Sequence, residues 1–261
     1  MPYTEANGVS FHYQLEGVSG PTVILLHELG GSLDSWENVA PGLAARFRVF
    51  RYDQRGFGRS EKVRRPYGLE DLVDDLEALV RALGLPGPFH LVAVAAASAQ
   101  ALLFMERDPK AVASLVFCNP APGVDASRAG ALEEIAAQAE RDGIRAVLPA
   151  MLDKSYPPEL SDRATYEAYR GRYIANDPVG FALAFRVLAR TDKRPMLGEV
   201  RCPALVVAGR QDVVRPVAVT EGIAGQIPGA RFETIDAGHF MPVTSPAALA
   251  ALLLDFLKAV A

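Results

Sequence analysis

Cysteine is scarce in this chain: two in 261 residues, Cys118 and Cys202. Two separated thiols give neither a disulfide framework nor a metal-ligand spacing, so a stapled scaffold and a zinc module are both excluded from the expectation. Long apolar runs are also absent. The longest clean one, residues 247–254, stops at Asp255, well short of the roughly 20 residues that a spanning helix needs. Residues 1–8 contain Glu5 and no apolar stretch, so no secretory leader is expected. The expectation is a cytoplasmic protein with no membrane partner. Nor does one sign of charge dominate: 27 Lys and Arg stand against 31 Asp and Glu, a net charge of −4. Without a basic excess there is no sign of a nucleic-acid partner.

What is present is an ordinary globular balance, 50% hydrophobic and 22% charged. That is too apolar for dominant disorder, and the chain is long enough to bury a large core.

Strand-like and helix-like patterns alternate along it. Residues 9–15 alternate after an Asn7-Gly8 turn and predict one strand of a hairpin. Residues 23–26, 91–94, 115–118 and 204–208 are short continuous apolar runs, the mark of strands buried on both faces. Residues 47–52 and 231–235 are further strand candidates. Residues 69–83 carry apolar side chains at helical spacing up to Gly84, and residues 95–107 and 247–260 also predict helices. This alternation points to an α/β fold with a mostly parallel sheet covered on both faces. Residues 122–195 break the rhythm and predict helices at 126–141, 144–152, 161–176 and 178–189. The expected organisation is a core of residues 1–121 and 196–261, with 122–195 inserted as a helical lid.

Open α/β sheets bind ligands beyond the carboxyl ends of their strands, so the residues after each strand carry the interest. They are His27-Glu28-Leu29-Gly30-Gly31, then Asp53-Gln54-Arg55-Gly56, then Ala95-Ala96-Ala97-Ser98, then Asn119, then Gly209-Arg210-Gln211-Asp212, and last Ala237-Gly238-His239-Phe240. Over essentially its whole length the chain resembles the α/β-hydrolase superfamily. In that family the triad runs nucleophile, acid, histidine, with the nucleophile on a sharp strand-to-helix turn. Within it, Tyr52-Asp53-Gln54-Arg55-Gly56 and Val116-Phe117-Cys118-Asn119 are most similar to 3-oxoadipate enol-lactonases, hydrolases of a small anionic lactone in aromatic catabolism. The resemblance implies a serine-type hydrolase of a small ester or lactone. Asp212 would be the acid, His239 the base and residue 95 the nucleophile position. The backbone N–H groups of Leu29 and Ala96 would be oxyanion donors. It implies a small-molecule substrate and no cofactor or metal. A substrate carboxylate would need a guanidinium, and Arg55, Arg186 and Arg210 are the candidates.

The chain departs from the family pattern at the turn itself. Gly-x-Ser-x-Gly is replaced by Ala93-Val94-Ala95-Ala96-Ala97, and an alanine cannot attack a carbonyl. Three explanations stay open. Ala95 is an engineered replacement of a serine and the chain an inactive variant; or the natural protein lacks the nucleophile and binds a ligand or works otherwise; or Ser98, one helical turn on, takes the role. Carbon–carbon or amide hydrolysis and cofactor-free oxygenation by the same machinery are the rival chemistries, and a ligand-binding pseudo-hydrolase is the non-enzymatic one. His27 reads as a brace for its loop. Glu28, where the family usually has glycine, reads as a structural carboxylate before a substrate contact. Cys118, Trp36, Phe240 and Met241 read as packing.

Overall fold

The computed structural model describes residues 2–261; Met1, first residue of the stretch read as lacking a leader, lies outside the described residues. Strands are β1 (Tyr3–Ala6), β2 (Val9–Glu16), β3 (Thr22–Leu26), β4 (Arg48–Tyr52), β5 (Phe89–Val94), β6 (Val112–Cys118), β7 (Ala204–Gly209) and β8 (Arg231–Ile235). Helices are α1 (Ala40–Ala44), α2 (Leu69–Ala82), α3 (Ala97–Arg107), α4 (Ala126–Asp142), α5 (Ile144–Val147), α6 (Leu152–Ser155), α7 (Arg163–Ile174), α8 (Pro178–Arg190), α9 (Val217–Ala224), α10 (Met241–Thr244) and α11 (Pro246–Val260). The eight strands form one sheet in the order β1-β2-β4-β3-β5-β6-β7-β8. β1, β2 and β4 pair antiparallel, and every pair from β4 to β8 is parallel.

Alternation along the buried strands divides the core. Ile24, Leu26, Leu91 and Ala93 join α2 and α3 on one face. Val23, Leu25, Val92 and Val94 join Leu43 of α1 and Leu249, Leu253 and Leu257 of α11 on the other. This is the period of two expected of a strand covered on both sides. The chain leaves β3 for β4 on one side and returns to β5 on the other, so the loops after β3 and β5 diverge across a crevice at their carboxyl ends. A third apolar cluster lies among α4–α8, with Tyr156, Tyr169, Tyr173, Phe181 and Phe185 fully or nearly buried.

Most predicted elements are present within a few residues of their expected ends. The helix expected at 144–152 is instead two short ones, α5 and α6. Pro149 sits between them, and its ring and missing N–H break a helix at that point. The helix expected from residue 95 begins at Ala97, because Ala95 belongs to the turn. Helix α9 and the short α1 and α10 lie where no helix is expected from the pattern. No helix among the described residues is long and apolar enough to cross a membrane.

Candidate active site

The turn after β5 is tight and left-handed. Ala95 has φ +50°, a region that costs a non-glycine residue about 1–2 kcal/mol. Its neighbours hold it there. Ala95 N–H donates to the Cys118 carbonyl at 3.0 Å, and the Ala95 carbonyl accepts from Ala121 N–H at 3.0 Å. The Ser98 hydroxyl donates to that same carbonyl at 2.7 Å and accepts from Ala121 N–H at 3.1 Å. Ser98 is fully buried. Its hydroxyl is thus spent on bracing the turn, and it does not line the cavity beyond it; the structure does not present it as a nucleophile.

Two loops away, His239 Nδ1–H donates to Asp212 Oδ2 at 2.6 Å. Asp212 Oδ1 accepts from the N–H groups of Val214 and Arg215 at 2.7 and 2.9 Å. The carboxylate is thereby pinned, and it leaves His239 Nε2 as the ring's free nitrogen. Asn119, at φ +45°, ties three strand ends together. Its Nδ2 donates to the carbonyls of Gly238 and His239, and its Oδ1 accepts from Gly209 N–H.

The loop after β3 is fixed by His27. Its Nδ1–H donates to the Glu28 carbonyl at 2.8 Å, and its Nε2 accepts from Gln54 N–H at 3.0 Å. Both ring nitrogens are engaged, as a bracing residue requires. Glu28 is completely buried. Its Oε1 accepts from the Ser35 and Tyr169 hydroxyls at 2.6 and 2.7 Å, while Oε2 has no partner among the described residues. Burial, with the Glu28 charge nearby, pushes the Tyr169 hydroxyl well up, so it stays a donor. Neither Leu29 N–H nor Ala96 N–H has an acceptor among the described residues.

Glu28, Leu29, Ala95, Ala96 and His239 line one open cavity from the sheet side. The helices above contribute Leu132, Met151, Tyr173, Phe185 and Leu188. Four of these, Met151, Tyr173, Phe185 and Leu188, lie at apolar positions of the inserted helical segment 122–195. Leu148, Leu152 and Phe181 instead pack within the helical cluster. Phe240, read as packing, also lines the cavity.

The three candidate arginines are elsewhere. Arg55 grips Asp75 through Nε and Nη2 at 2.6 and 2.5 Å and lies over the Tyr67 ring. Arg186 is paired with Glu133 and Glu140, each at 2.8 Å. Arg210 is exposed at the end of β7 and does not line the cavity. Two others do line it: Arg128, exposed on α4, and Arg215, half-buried three residues beyond Asp212. Neither makes a side-chain hydrogen bond or ion pair among the described residues, and Arg215 Nε is buried without a partner. Burial and then the charge of Arg128 pull the Arg215 guanidinium below its usual range, and Asp212 and Asp125 only partly offset them. Proximity to a strand end does not say which way a side chain turns. The one sequence signal for Arg215 was its place in the turn that carries Asp212.

The geometry is matched by kinship. Residues 21–246 match the alpha/beta hydrolase fold family. A protein provisionally named carbamate hydrolase RutD, from Caulobacter sp. strain K31, is 31% identical over 91% of this chain and 90% of its own. The crystal structure of the enol-lactonase from Burkholderia xenovorans LB400 superposes with a TM-score of 0.92 at 26% identity, covering 98% of this chain and 100% of that one. A thermophilic esterase from Thermogutta terrifontis, solved with malate bound, also gives 0.92 at 26%, covering 99% and 97%. With the family's sheet, its strand-to-helix turn and its histidine–aspartate pair around one cavity, this chain belongs to the α/β-hydrolase family.

Proposed function

We propose that the cavity binds a small carboxylic ester or lactone bearing a carboxylate of its own, with residue 95 as the nucleophile position. The observation that carries this reading is the pair Arg128 and Arg215, two guanidiniums that make no ion pair among the described residues, in the cavity that also holds His239. Guanidinium is the group that pairs carboxylates in planar, bidentate fashion, and an anion here would relieve the mutual repulsion. The relatives agree in kind: an enol-lactonase, and an esterase that holds a dicarboxylate.

With a serine at 95, its Oγ would attack the carbonyl carbon as His239 Nε2 took the proton, and Asp212 would stabilise the imidazolium. The N–H groups of Leu29 and Ala96 would hold the oxyanion. Collapse would break the carbonyl–oxygen bond, the leaving oxygen taking the proton from His239. A water deprotonated by the same ring would then release the acid. Residues 122–195 would act as a lid, excluding water from the attack site. Alanine at 95 supplies no Oγ, so this chain binds substrate in the attack geometry without forming the acyl intermediate. A second reading, a ligand-binding protein that never used that intermediate, rests on the same alanine.

Ala95→Ser decides between them. Loss of such a nucleophile costs about 10⁶ in turnover, so hydrolysis of p-nitrophenyl acetate should rise by at least ~10³ on Ala95→Ser. No gain would show that position 95 is not the nucleophile position.

A further inference from the structure

Leu29, one of the two oxyanion donors assigned above, stands between two residues that are fastened to helix α7. On one side is Glu28. Its carboxylate is completely buried and turned back toward Gly31. A Cβ at Gly31 would meet Glu28 Oε1 at 2.1 Å, so only glycine leaves room for it. There Oε1 accepts from the Ser35 hydroxyl at 2.6 Å and from the Tyr169 hydroxyl of α7 at 2.7 Å. On the other side is Gly30. Its carbonyl accepts from Asn176 Nδ2 at 2.8 Å, two residues beyond the end of α7, and the same amide donates to the Tyr173 carbonyl at 2.9 Å. The Tyr173 ring closes over Gly30, which has φ +85°; a Cβ there would meet Cε2 at 2.4 Å.

The two bonds join residues 141 and 146 positions apart, so they come from the way the helices sit on the sheet and not from the local turn. Ser35, Tyr169 and Asn176 are all buried, and in such surroundings a hydrogen bond is not readily exchanged for water. A glycine at position 28 would have no arm to reach α7. The strand side of the loop is held separately: the Glu28 carbonyl accepts from His27 Nδ1–H and from Gly31 N–H. An oxyanion donor acts only if it is already aimed when the charge develops. The Leu29 peptide is fixed in this sense because both of its neighbours are.

We infer that α7 belongs to the oxyanion machinery. Tyr169, through the Glu28 carboxylate, and Asn176, through the Gly30 carbonyl, hold the Leu29 N–H toward the developing charge. The inference rests on the ester reading above and deepens it. Glu28, Tyr169 and Asn176 are positioning residues; none of them touches the reacting atoms. The helices over the sheet then do more than exclude water, because without α7 the donor pair is incomplete.

The test uses the Ala95→Ser protein with p-nitrophenyl acetate, and the native chain with monomethyl succinate isotope-labelled at its ester carbonyl. In the first, Tyr169→Phe and Asn176→Ala should each lower kcat about tenfold to a hundredfold, the scale on which a misplaced donor costs. KM should stay within about twofold, because the lost interaction belongs to the transition state. Tyr166→Phe makes the same change one turn earlier on α7, where the hydroxyl is near Arg170 and Asp153 instead, and should leave kcat where it was. In the native chain, the infrared carbonyl stretch of the bound ester should lie below that of the free ester, and Tyr169→Phe should move it back. Unchanged kcat and an unmoved stretch, in an Ala95→Ser enzyme that does hydrolyse, would overturn the inference and leave the ester reading standing. An equal loss in Tyr166→Phe, or a loss confined to KM, would overturn it too, by marking a general effect of packing. If Ala95→Ser hydrolyses nothing and the native chain does not shift the bound carbonyl, the ester reading falls and this inference with it. If Asn176→Ala does not fold, Tyr169→Phe decides alone, since it keeps the ring among Tyr156, Tyr173 and Phe240.

Discussion

The Asn119 amide donates to the carbonyl of His239 at 3.1 Å, and to that of Gly238 at 3.0 Å. It thereby fixes the loop that carries the imidazole to the end of β6. The third bond of the same side chain, from Gly209 N–H at 2.8 Å, fixes the start of the loop that carries Asp212. One fully buried residue thus sets the distance between two loops whose side chains meet at 2.6 Å.

Asn119→Asp should therefore cost more than its shape suggests. The carboxylate keeps the acceptor for Gly209 N–H but turns a second oxygen on two carbonyls. Leaving such buried groups unsatisfied costs about 1–3 kcal/mol each. The expected outcome is a lower urea midpoint, together with a shift or loss of the downfield proton resonance of His239 Nδ1–H. An unaltered resonance would mean the two loops hold each other without Asn119.

Ser98→Ala separates bracing from chemistry. The hydroxyl serves the Ala95 carbonyl and Ala121 N–H in a site with no solvent, so the variant should lose about 1–3 kcal/mol of stability. In an Ala95→Ser background, its specific activity per folded molecule should fall far less than the ~10⁶ of a lost nucleophile. A loss on that scale with unchanged stability would return Ser98 to the chemistry.

How far the chain declared itself depends on how local each signal is. Buried strands such as 91–94 and 204–208 are legible because a run of apolar residues has few other uses. The order of Ala95, Asp212 and His239 is legible because each stands at a strand end with a recognisable turn around it. Arg215 and Arg128 were not, since facing a cavity depends on how α4 and the turn after Asp212 pack. Arg55 misled for the complementary reason: its partner Asp75 is 20 residues away on α2, a pairing that no local pattern shows.

Stability should fall on mild acidification because of His90. The ring lies within β5, 1% exposed, with Nδ1 at 2.8 Å from the Ser114 hydroxyl. Burial pulls its pKa below the ordinary 6.5. Below 6.5 the unfolded chain therefore takes up a proton that the folded chain refuses, and stability drops until the folded-state pKa is passed. Above 6.5 the contribution is fully present. Urea midpoints between about pH 7.5 and 5.5 should fall more steeply for the native chain than for His90→Gln. Parallel slopes would place the acid sensitivity elsewhere.

Arg215→Gln should trade binding for stability. The native guanidinium is half-buried, makes no ion pair among the described residues, and feels Arg128 as a like charge. Removing its charge relieves that repulsion and the cost of its lost hydration. The urea midpoint should therefore hold or rise slightly, unlike the loss that follows when a residue of a satisfied buried pair such as Arg55–Asp75 is removed. Affinity should move the other way. A hydrogen bond to a charged group is worth about 1.5–3 kcal/mol, so binding of monomethyl succinate should weaken by roughly tenfold to a hundredfold. Methyl butyrate, which lacks the carboxylate, should not discriminate between the two proteins. Arg128→Gln, removing an exposed charge at the same cavity, should weaken succinate binding less, and the difference should shrink further as salt is added. Equal succinate affinity in the native chain and Arg215→Gln would mean that the cavity does not select anions through this residue.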